Sequence, residues 1–418
     1  MERRVVVTGL GAVSPVGNTA EESWKSVKAG KSGIGRITLF DASDFEVKIA
    51  GEVKGFDIER YGIPHRSVRK MARFTQLFLA STVQAVSDAQ FTRENLKTFK
   101  AGIATGCCLG GFDAMDDAYR KFFDENIGAS RLSPVTIPMY IPNEAAANAS
   151  IFYGLQGMAW TVSNACASGT DAIGLGLDLI RAGRLDVCVA GGTEAAITPI
   201  CIASLTQLGA LARHYNDNPE KASRPFDRDR EGFVFAEGAC TLVLEEREHA
   251  KKRGAKIYAE IAGYGSSSDA FHITSPLEDG SGAALAARSA LEDAGISADQ
   301  IAYYNAHGTS TIANDKGETN MLKAVFGATT KLHISSTKSM TGHLVGAAGA
   351  LEAMFTIRAM EDGFIPPTIN LENPDTTNGL DLDYTAHTGV PLEIPYAMSG
   401  SLGFGGHNGF LVFKNPRL

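Results

Sequence analysis

The chain is short of three things, and each shortage removes a class of protein. Basic residues are not in excess: 39 Lys and Arg stand against 47 Asp and Glu, for a net charge of −8. No global attraction to nucleic acid or to an anionic membrane surface is expected. The six cysteines, at 107, 108, 166, 188, 201 and 240, form no Cys-x-x-Cys pair and no metal-ligand spacing, which argues against a disulfide framework or a zinc site. Long apolar runs are missing too, so no segment is expected to span a bilayer. Met1-Glu2-Arg3-Arg4-Val5-Val6-Val7 reaches glycine too soon to be the core of a signal peptide. The expectation is a reduced, cytoplasmic chain. Short-period repeats and low-complexity tracts are also absent, and 418 residues with 44% hydrophobic content can bury a large core. Forty-five glycines suit an enzyme of tight turns and close backbone approaches rather than a disordered chain.

What is present is alternation. Short apolar or β-branched runs predict strands at Val5–Val7, Gly102–Ala104, Trp160–Val162, Val187–Ala190, Thr241–Leu244, Ile257–Ile261, Ile301–Asn305, Leu332–Ser335 and Phe410–Phe413. Between them, helical patterns predict Thr19–Ala29, Val68–Asp88, Thr170–Ala182, Gly282–Ala294 and Gly346–Met360. Strands spaced by helices indicate an α/β fold with largely parallel sheets. The charged segment from Glu245 to Gly254 is the best internal boundary. Thr8-Gly9-Leu10-Gly11-Ala12-Val13-Ser14-Pro15 partly mimics a dinucleotide-binding turn. Ser14 replaces its third glycine and Pro15 interrupts its helix, so nicotinamide binding is not expected.

Four segments carry possible chemistry. Cys166, in Val162-Ser163-Asn164-Ala165-Cys166-Ala167-Ser168-Gly169, stands at a strand-to-helix corner. Unpaired N–H groups and the helix dipole there favour a thiolate and can hold an oxyanion. Most free cysteines are merely buried, so the other segments decide. Asn305-Ala306-His307-Gly308-Thr309-Ser310-Thr311 puts a histidine at the C-terminal end of a strand, although such a histidine is more often structural. Lys338 and His343 share a small-residue loop that runs into an alanine-rich helix containing Glu352. A buried carboxylate there needs a partner, which Lys338 or the histidine neighbourhood can supply. Gly403-Phe404-Gly405-Gly406 flanks one aromatic ring with glycines, in a hairpin whose ring can swing.

Taken together and in this order, these motifs resemble the elongating β-ketoacyl-acyl carrier protein synthases of the thiolase-like superfamily, type II most closely. Ser223-Arg224-Pro225-Phe226-Asp227 and Pro366-Pro367-Thr368-Ile369-Asn370-Leu371 match as well, and the likeness covers essentially the whole chain. The resemblance implies a five-layered αβαβα fold of two similar halves, residues 1–255 with the nucleophile and 256–418 with the two histidines, normally as a homodimer. It implies that Cys166 accepts an acyl group from the phosphopantetheine arm of acyl carrier protein, after which malonyl-carrier protein loses carbon dioxide and its enolate attacks the acyl-cysteine. The N–H groups of Cys166 and Phe404 would form the oxyanion hole. His307 and His343 would donate to the malonyl thioester oxygen as neutral imidazoles, with Lys338 and Glu352 as their supporting pair and Phe404 as the gate.

Thr309 and Thr311 match pantetheine-binding threonines, Thr274 lies near the tunnel mouth, and Leu109 falls at the acyl pocket. For the threonines, local turn bonding is the competing reading; for Leu109 it is an ordinary core leucine. The acidic carrier would dock on Arg66, Arg69, Lys70 and Arg73, which the 3–4 residue spacing puts on one helix face, joined by Arg213. No resident metal or cofactor is implied, nor any nucleic-acid or membrane partner. A structural monovalent cation is left open, because some members bind one with an asparagine at the position of Gly400.

Gly400-Ser401-Leu402 stand where Asn-Ser-Phe is usual, His407 replaces a threonine, Ile312 a proline, and Glu144 enters a stretch that is usually more apolar. These departures bear on chain-length preference. A polyketide ketosynthase shares every motif. A thiolase would need a second cysteine near the C-terminus, but the last is Cys240. Initiating synthases carry asparagine where His343 stands, and non-catalytic chain-length subunits lack the nucleophile. A cysteine protease would leave the second histidine and Lys338 unexplained.

Overall fold

The apolar runs become ten strands of one sheet in the computed structural model, which describes residues 3–124 and 128–418. Met1 and Glu2 of the N-terminal run lie outside the described residues. The strands are β1 Val5–Val13, β2 Ala101–Gly106, β3 Ala159–Val162, β4 Val187–Glu194, β5 Gly238–Glu246, β6 Ala259–Ser268, β7 Tyr303–Asn305, β8 His333–Ser335, β9 Tyr396–Gly403 and β10 His407–Lys414. Helices that matter below are α1 Arg73–Asp88, α2 Glu144–Tyr153, α3 Ser168–Arg181, α4 Pro199–Gln207, α5 Ser281–Ala294, α6 Ile312–Phe326 and α7 Ala348–Asp362.

The sheet order is β8-β7-β9-β10-β6-β1-β5-β4-β2-β3. Counted along the chain, strands one to five and strands six to ten each lie in the order third, second, fourth, fifth, first. In each set the three outer strands are parallel and the two inner joins antiparallel. Antiparallel pairing of β1 with β6 links the sets. The expectation of largely parallel sheets is thus corrected: the sheet is mixed. One cause is Tyr396–Gly403, a strand not anticipated from its Ser- and Gly-containing sequence, which returns directly into β10 as an antiparallel hairpin.

Helices α3 and α7 both touch strands of both sets and form the middle layer, while α1 covers the outer face of the first set and α5 that of the second. The result is the α–β–α–β–α layering. Buried apolar residues of α3 (Ile173, Leu177, Ile180) and α7 (Leu351, Met354, Phe355) share one core cluster with β1, β5 and β10, as expected for helices lying between two sheets.

Gly9 and Gly11 lie within β1 rather than in a turn. An added Cβ would meet the Ala85 carbonyl oxygen at 2.1 Å and that of Ser81 at 2.0 Å, so these glycines seat α1 against the strand. The helix expected over Val68–Asp88 is also corrected. It begins at Arg73, after a separate single turn at His65–Val68. Ala72 is extended (φ −63, ψ 160), and the Glu144 and Asp113 carboxylates accept the Ala72 and Arg73 N–H groups at 3.3 Å each.

Candidate active site

Cys166, His307 and His343 converge although 141 and 36 residues separate them along the chain. Cys166 and His307 sit just beyond the C-terminal ends of β3 and β7, and His343 follows β8 after a helical turn at Lys338–Thr341, at the edge where open α/β sheets place ligands. After β3 the chain makes one 3-10 turn, Ala165–Ala167, and enters α3. Ala165 has φ +48, a left-handed conformation unusual for a side-chain-bearing residue. That kink turns Cys166 inward. The corner is tied by Ser168 Oγ, which accepts from Asn164 N–H at 2.9 Å and donates to the Ala165 carbonyl at 2.6 Å. Asn164 Nδ2 and the Tyr264 hydroxyl then donate to buried Asp171 at 2.7 and 2.9 Å.

Cys166 Sγ and His343 Nε2 lie 3.0 Å apart. The His307 and His343 rings meet edge to face, their centroids 5.1 Å apart. Ligand atoms of Cys166, His307 and His343 all fall within 4.8 Å of one another. Lys338 Nζ is 3.3 Å from His307 Nδ1 and ion-pairs with Glu352 from α7; both are buried. His307 is positioned by Glu318 of α6, which accepts the N–H groups of His307 and Gly308 at 2.7 Å each. His343 is clamped through its backbone between Val234 and Ala236, with the Phe233 ring edge-on at 5.2 Å.

Burial pushes both imidazoles well below the ordinary histidine range, and the Lys338 charge adds to this. They are neutral at physiological pH. For Cys166 the outcome differs from the sequence expectation. Burial pushes the thiol up to about 12, and the Lys338 charge and a hydrogen bond from the Phe404 N–H only partly offset it. Cys166 rests as a thiol, because at this corner desolvation outweighs the helix terminus.

These groups face a cavity of about 600 Å³. Leu109, Cys108, Phe112 and Cys201 form an apolar part of its lining, and Thr274, Thr309, Thr311 and Phe404 line it too. Phe404 is 37% exposed. An added Cβ on Gly403 would stand 2.9 Å from the Asn164 carbonyl and 3.1 Å from Cys166 N, so this glycine lets the hairpin backbone approach the Cys166 corner. The Thr309 and Thr311 hydroxyls bond to each other at 2.9 Å, and Thr311 also caps α6 by accepting from Asn314 N–H.

Two family models match the chain: the beta-ketoacyl synthase N-terminal domain over residues 2–250 and the C-terminal domain over residues 258–372. The chain belongs to the β-ketoacyl synthase family. It is 47% identical to the 3-oxoacyl-(acyl-carrier-protein) synthase 2 of Vibrio cholerae over 99% of both chains. With that of Synechocystis it shares 44% identity over 99% of this chain and 98% of the relative. Among solved structures, a beta-ketoacyl synthase from Burkholderia phymatum superposes with TM-score 0.91 at 36% identity, covering 99% of each chain. A type II polyketide ketosynthase in complex with its acyl-carrier protein superposes with TM-score 0.89 at 34% identity, covering 99% and 100%.

Within this β-ketoacyl synthase the basic set divides. Arg66, Arg69 and Lys70 are exposed, on the single turn and the bend before α1 rather than on one helix face. Arg73 instead turns inward to a two-pronged ion pair with fully buried Glu237 (2.6 and 2.7 Å). Arg213 is half-buried and pairs with Glu46 at 3.2 Å. Sequence reasoning did not find Glu318 or Glu194. Fully buried Glu194, at the end of β4, accepts N–H groups of Cys108, Leu109 and Gly346 at 3.0, 3.1 and 3.2 Å. The available signal was a carboxylate closing a buried strand with no other charged residue.

Proposed function

We propose that the chain is a decarboxylating condensing enzyme that joins malonyl-acyl carrier protein to an enzyme-bound acyl group and so lengthens a fatty acyl chain by two carbons. The observation that carries this is a buried thiol 3.0 Å from one neutral imidazole, with a second neutral imidazole ring packed beside it and an apolar cavity in front. Identity of 43–47% to synthases named for this activity favours the fatty-acid role over the polyketide one.

Cys166 Sγ attacks the acyl thioester of the incoming carrier. Its proton passes to His343 Nε2 and leaves with the departing pantetheine sulfur. The Cys166 and Phe404 N–H groups stabilise the oxyanion. In the second stage His343, acylation complete, shifts its single proton from Nδ1 to Nε2, and His307 and His343 then donate N–H to the malonyl thioester oxygen as carbon dioxide departs. Two neutral donors suit this task, because the negative charge develops where water is excluded. Lys338, held by Glu352, keeps His307 in one tautomer by donating to Nδ1, which leaves Nε2–H to face substrate. Thr309 and Thr311 take the pantetheine amides, Thr274 stands near the tunnel mouth, Leu109 bounds the acyl chain, and Phe404 gates the entrance.

Arg66, Arg69 and Lys70, with Arg213 at the margin, form the docking surface for the acidic carrier. Residues 1–255 and 256–418 are the two halves, a division favoured by the repeated strand order. A homodimer is the expected assembly: β3 lies at the sheet edge with Trp160 44% exposed, and Ile151 of the neighbouring α2 is 79% exposed, an edge of the kind that pairs with another strand. Among the described residues no helix is long and apolar enough to cross a membrane, and a cytoplasmic location fits the reaction. No resident cofactor is invoked. A structural monovalent cation is left open: at Gly400 an added Cβ would stand 2.1 Å from the Tyr304 hydroxyl, so an asparagine side chain does not fit there as the chain stands.

The test uses purified enzyme, malonyl-carrier protein and a ladder of acyl-carrier proteins, read by product mass. Acyl-Cys166 formation and products two carbons longer are expected, with Cys166→Ala losing both by more than about 10⁴-fold. Acyl transfer without extension of any saturated chain would favour the polyketide reading, and loss of transfer in the unaltered enzyme would overturn the assignment.

A further inference from the structure

The three side chains at the centre of the cavity are also a thiol and two imidazoles, the donor set that a soft divalent cation selects. Their ligand atoms lie within 4.8 Å of one another, and all three residues are buried. A tetrahedral zinc with Zn–S near 2.3 Å and Zn–N near 2.0 Å needs donors roughly 3.3–3.6 Å apart. Cys166 Sγ and His343 Nε2, at 3.0 Å, need only small side-chain rotations to meet it. His307 Nδ1 faces Lys338, so Nε2 is the nitrogen presented to the group. The fourth position opens on the cavity, which is lined there by Leu109 and Phe404. Three protein ligands with one open position is the pattern of an exchangeable metal site rather than a closed structural one.

We infer that Cys166, His307 and His343 form an inhibitory site for a thiophilic divalent cation such as Zn²⁺, competing directly with the acyl thioester. The bonds formed are Sγ–metal and two Nε2–metal. The Cys166 S–H and His307 Nε2–H bonds break, and Lys338 passes a proton to His307 Nδ1. Two protons therefore leave to solvent for each ion bound, and the Lys338–Glu352 pair gives up one positive charge as the metal brings two. The site needs no new residue: all three donors already lie within 4.8 Å of one another. Its occupancy blocks the nucleophile and both N–H donors at once. The inference concerns the placement of three side chains and does not depend on which acyl chain the enzyme extends.

The experiment adds Co²⁺, then Zn²⁺, to the full-length enzyme kept reduced with a phosphine. One equivalent of Co²⁺ is expected to give tetrahedral d–d bands and a sulfur-to-cobalt charge-transfer band, both displaced by Zn²⁺. Zn²⁺ is expected to protect Cys166 from iodoacetamide, with protection reversed by chelator. Cys166→Ala should abolish the charge-transfer band. His343→Ala should weaken Co²⁺ binding by more than about tenfold, the loss that even outer partners of a metal site can cause. Cys108→Ala and Cys201→Ala, which alter the two other thiols lining the cavity, should retain the band. A band that survives Cys166→Ala, or absence of both band and protection at micromolar metal, would overturn the proposal. Because these readouts are spectroscopic and chemical, they stand apart from the condensation assay.

Discussion

The two corners that open the middle helices are built alike and used differently. At the first, Ala165 has φ +48, a 3-10 turn spans Ala165–Ala167, and α3 follows. At the second, Val345 has φ +48, a 3-10 turn spans Val345–Ala347, and α7 follows. The central residue of the first turn is Cys166 and that of the second is Gly346. Cys166 projects a thiol into the cavity. Gly346 projects nothing: an added Cβ would stand 2.7 Å from Cys108 N and 2.8 Å from Glu194 Oε2. The same elbow thus serves once to present a thiol and once to bring a backbone N–H onto a buried carboxylate that also holds the Cys108–Leu109 wall. Neither use follows from the elbow itself; each follows from what fills the space beside it.

Three measurements bear on that comparison. The largest expected effect concerns the first corner. With the thiol held well above neutral by burial, the thiolate fraction rises about tenfold per pH unit, so alkylation of Cys166 should quicken about a hundredfold between pH 7 and 9. A rate flat across that range would mean that the helix terminus dominates after all. Next, Gly346→Ala forces an atom into filled space and should lower stability by about 1–3 kcal/mol, read from the denaturation midpoint. It should also shift chain-length preference, because Cys108 and Leu109 must move. An unchanged midpoint would deny the second corner its locking role. Least affected should be Ala165→Gly. Relief of the left-handed conformation and the added chain freedom of glycine nearly cancel, leaving a change under about 1 kcal/mol; a larger loss would show that the Ala165 methyl packs in a way the turn geometry does not require.

The first corner was legible in the sequence and the second was not. A strand, a small-residue turn with a cysteine and an amphipathic helix announce themselves within 20 residues. Gly346 looked like one more glycine ahead of an alanine-rich helix, since its meaning lies in Glu194, 152 residues earlier. Glu318 escaped for a similar reason: besides the Tyr304 hydroxyl and the Asn314 amide, it accepts the backbone N–H groups of His307 and Gly308, which no side-chain pattern records. The basic cluster misled because a 3–4 residue spacing continues unbroken through a bend. Only the buried Glu237 reveals that Arg73 points inward. The paired orders of the sheet were equally hidden, since β9 carries serine and glycine where a strand signal needs branched or aromatic residues.

The site also draws on both sets of strands: Cys166 comes from the first, while His307, Lys338, His343, Glu352 and Phe404 come from the second. Separated copies of the two parts would each hold an incomplete set of reacting groups, one a thiol without its imidazoles, the other imidazoles without a thiol. The stretch joining β5 to β6 is therefore more than a tether. It fixes a one-to-one stoichiometry between complementary fragments that are useless apart, so a lesion that silences either fragment silences both.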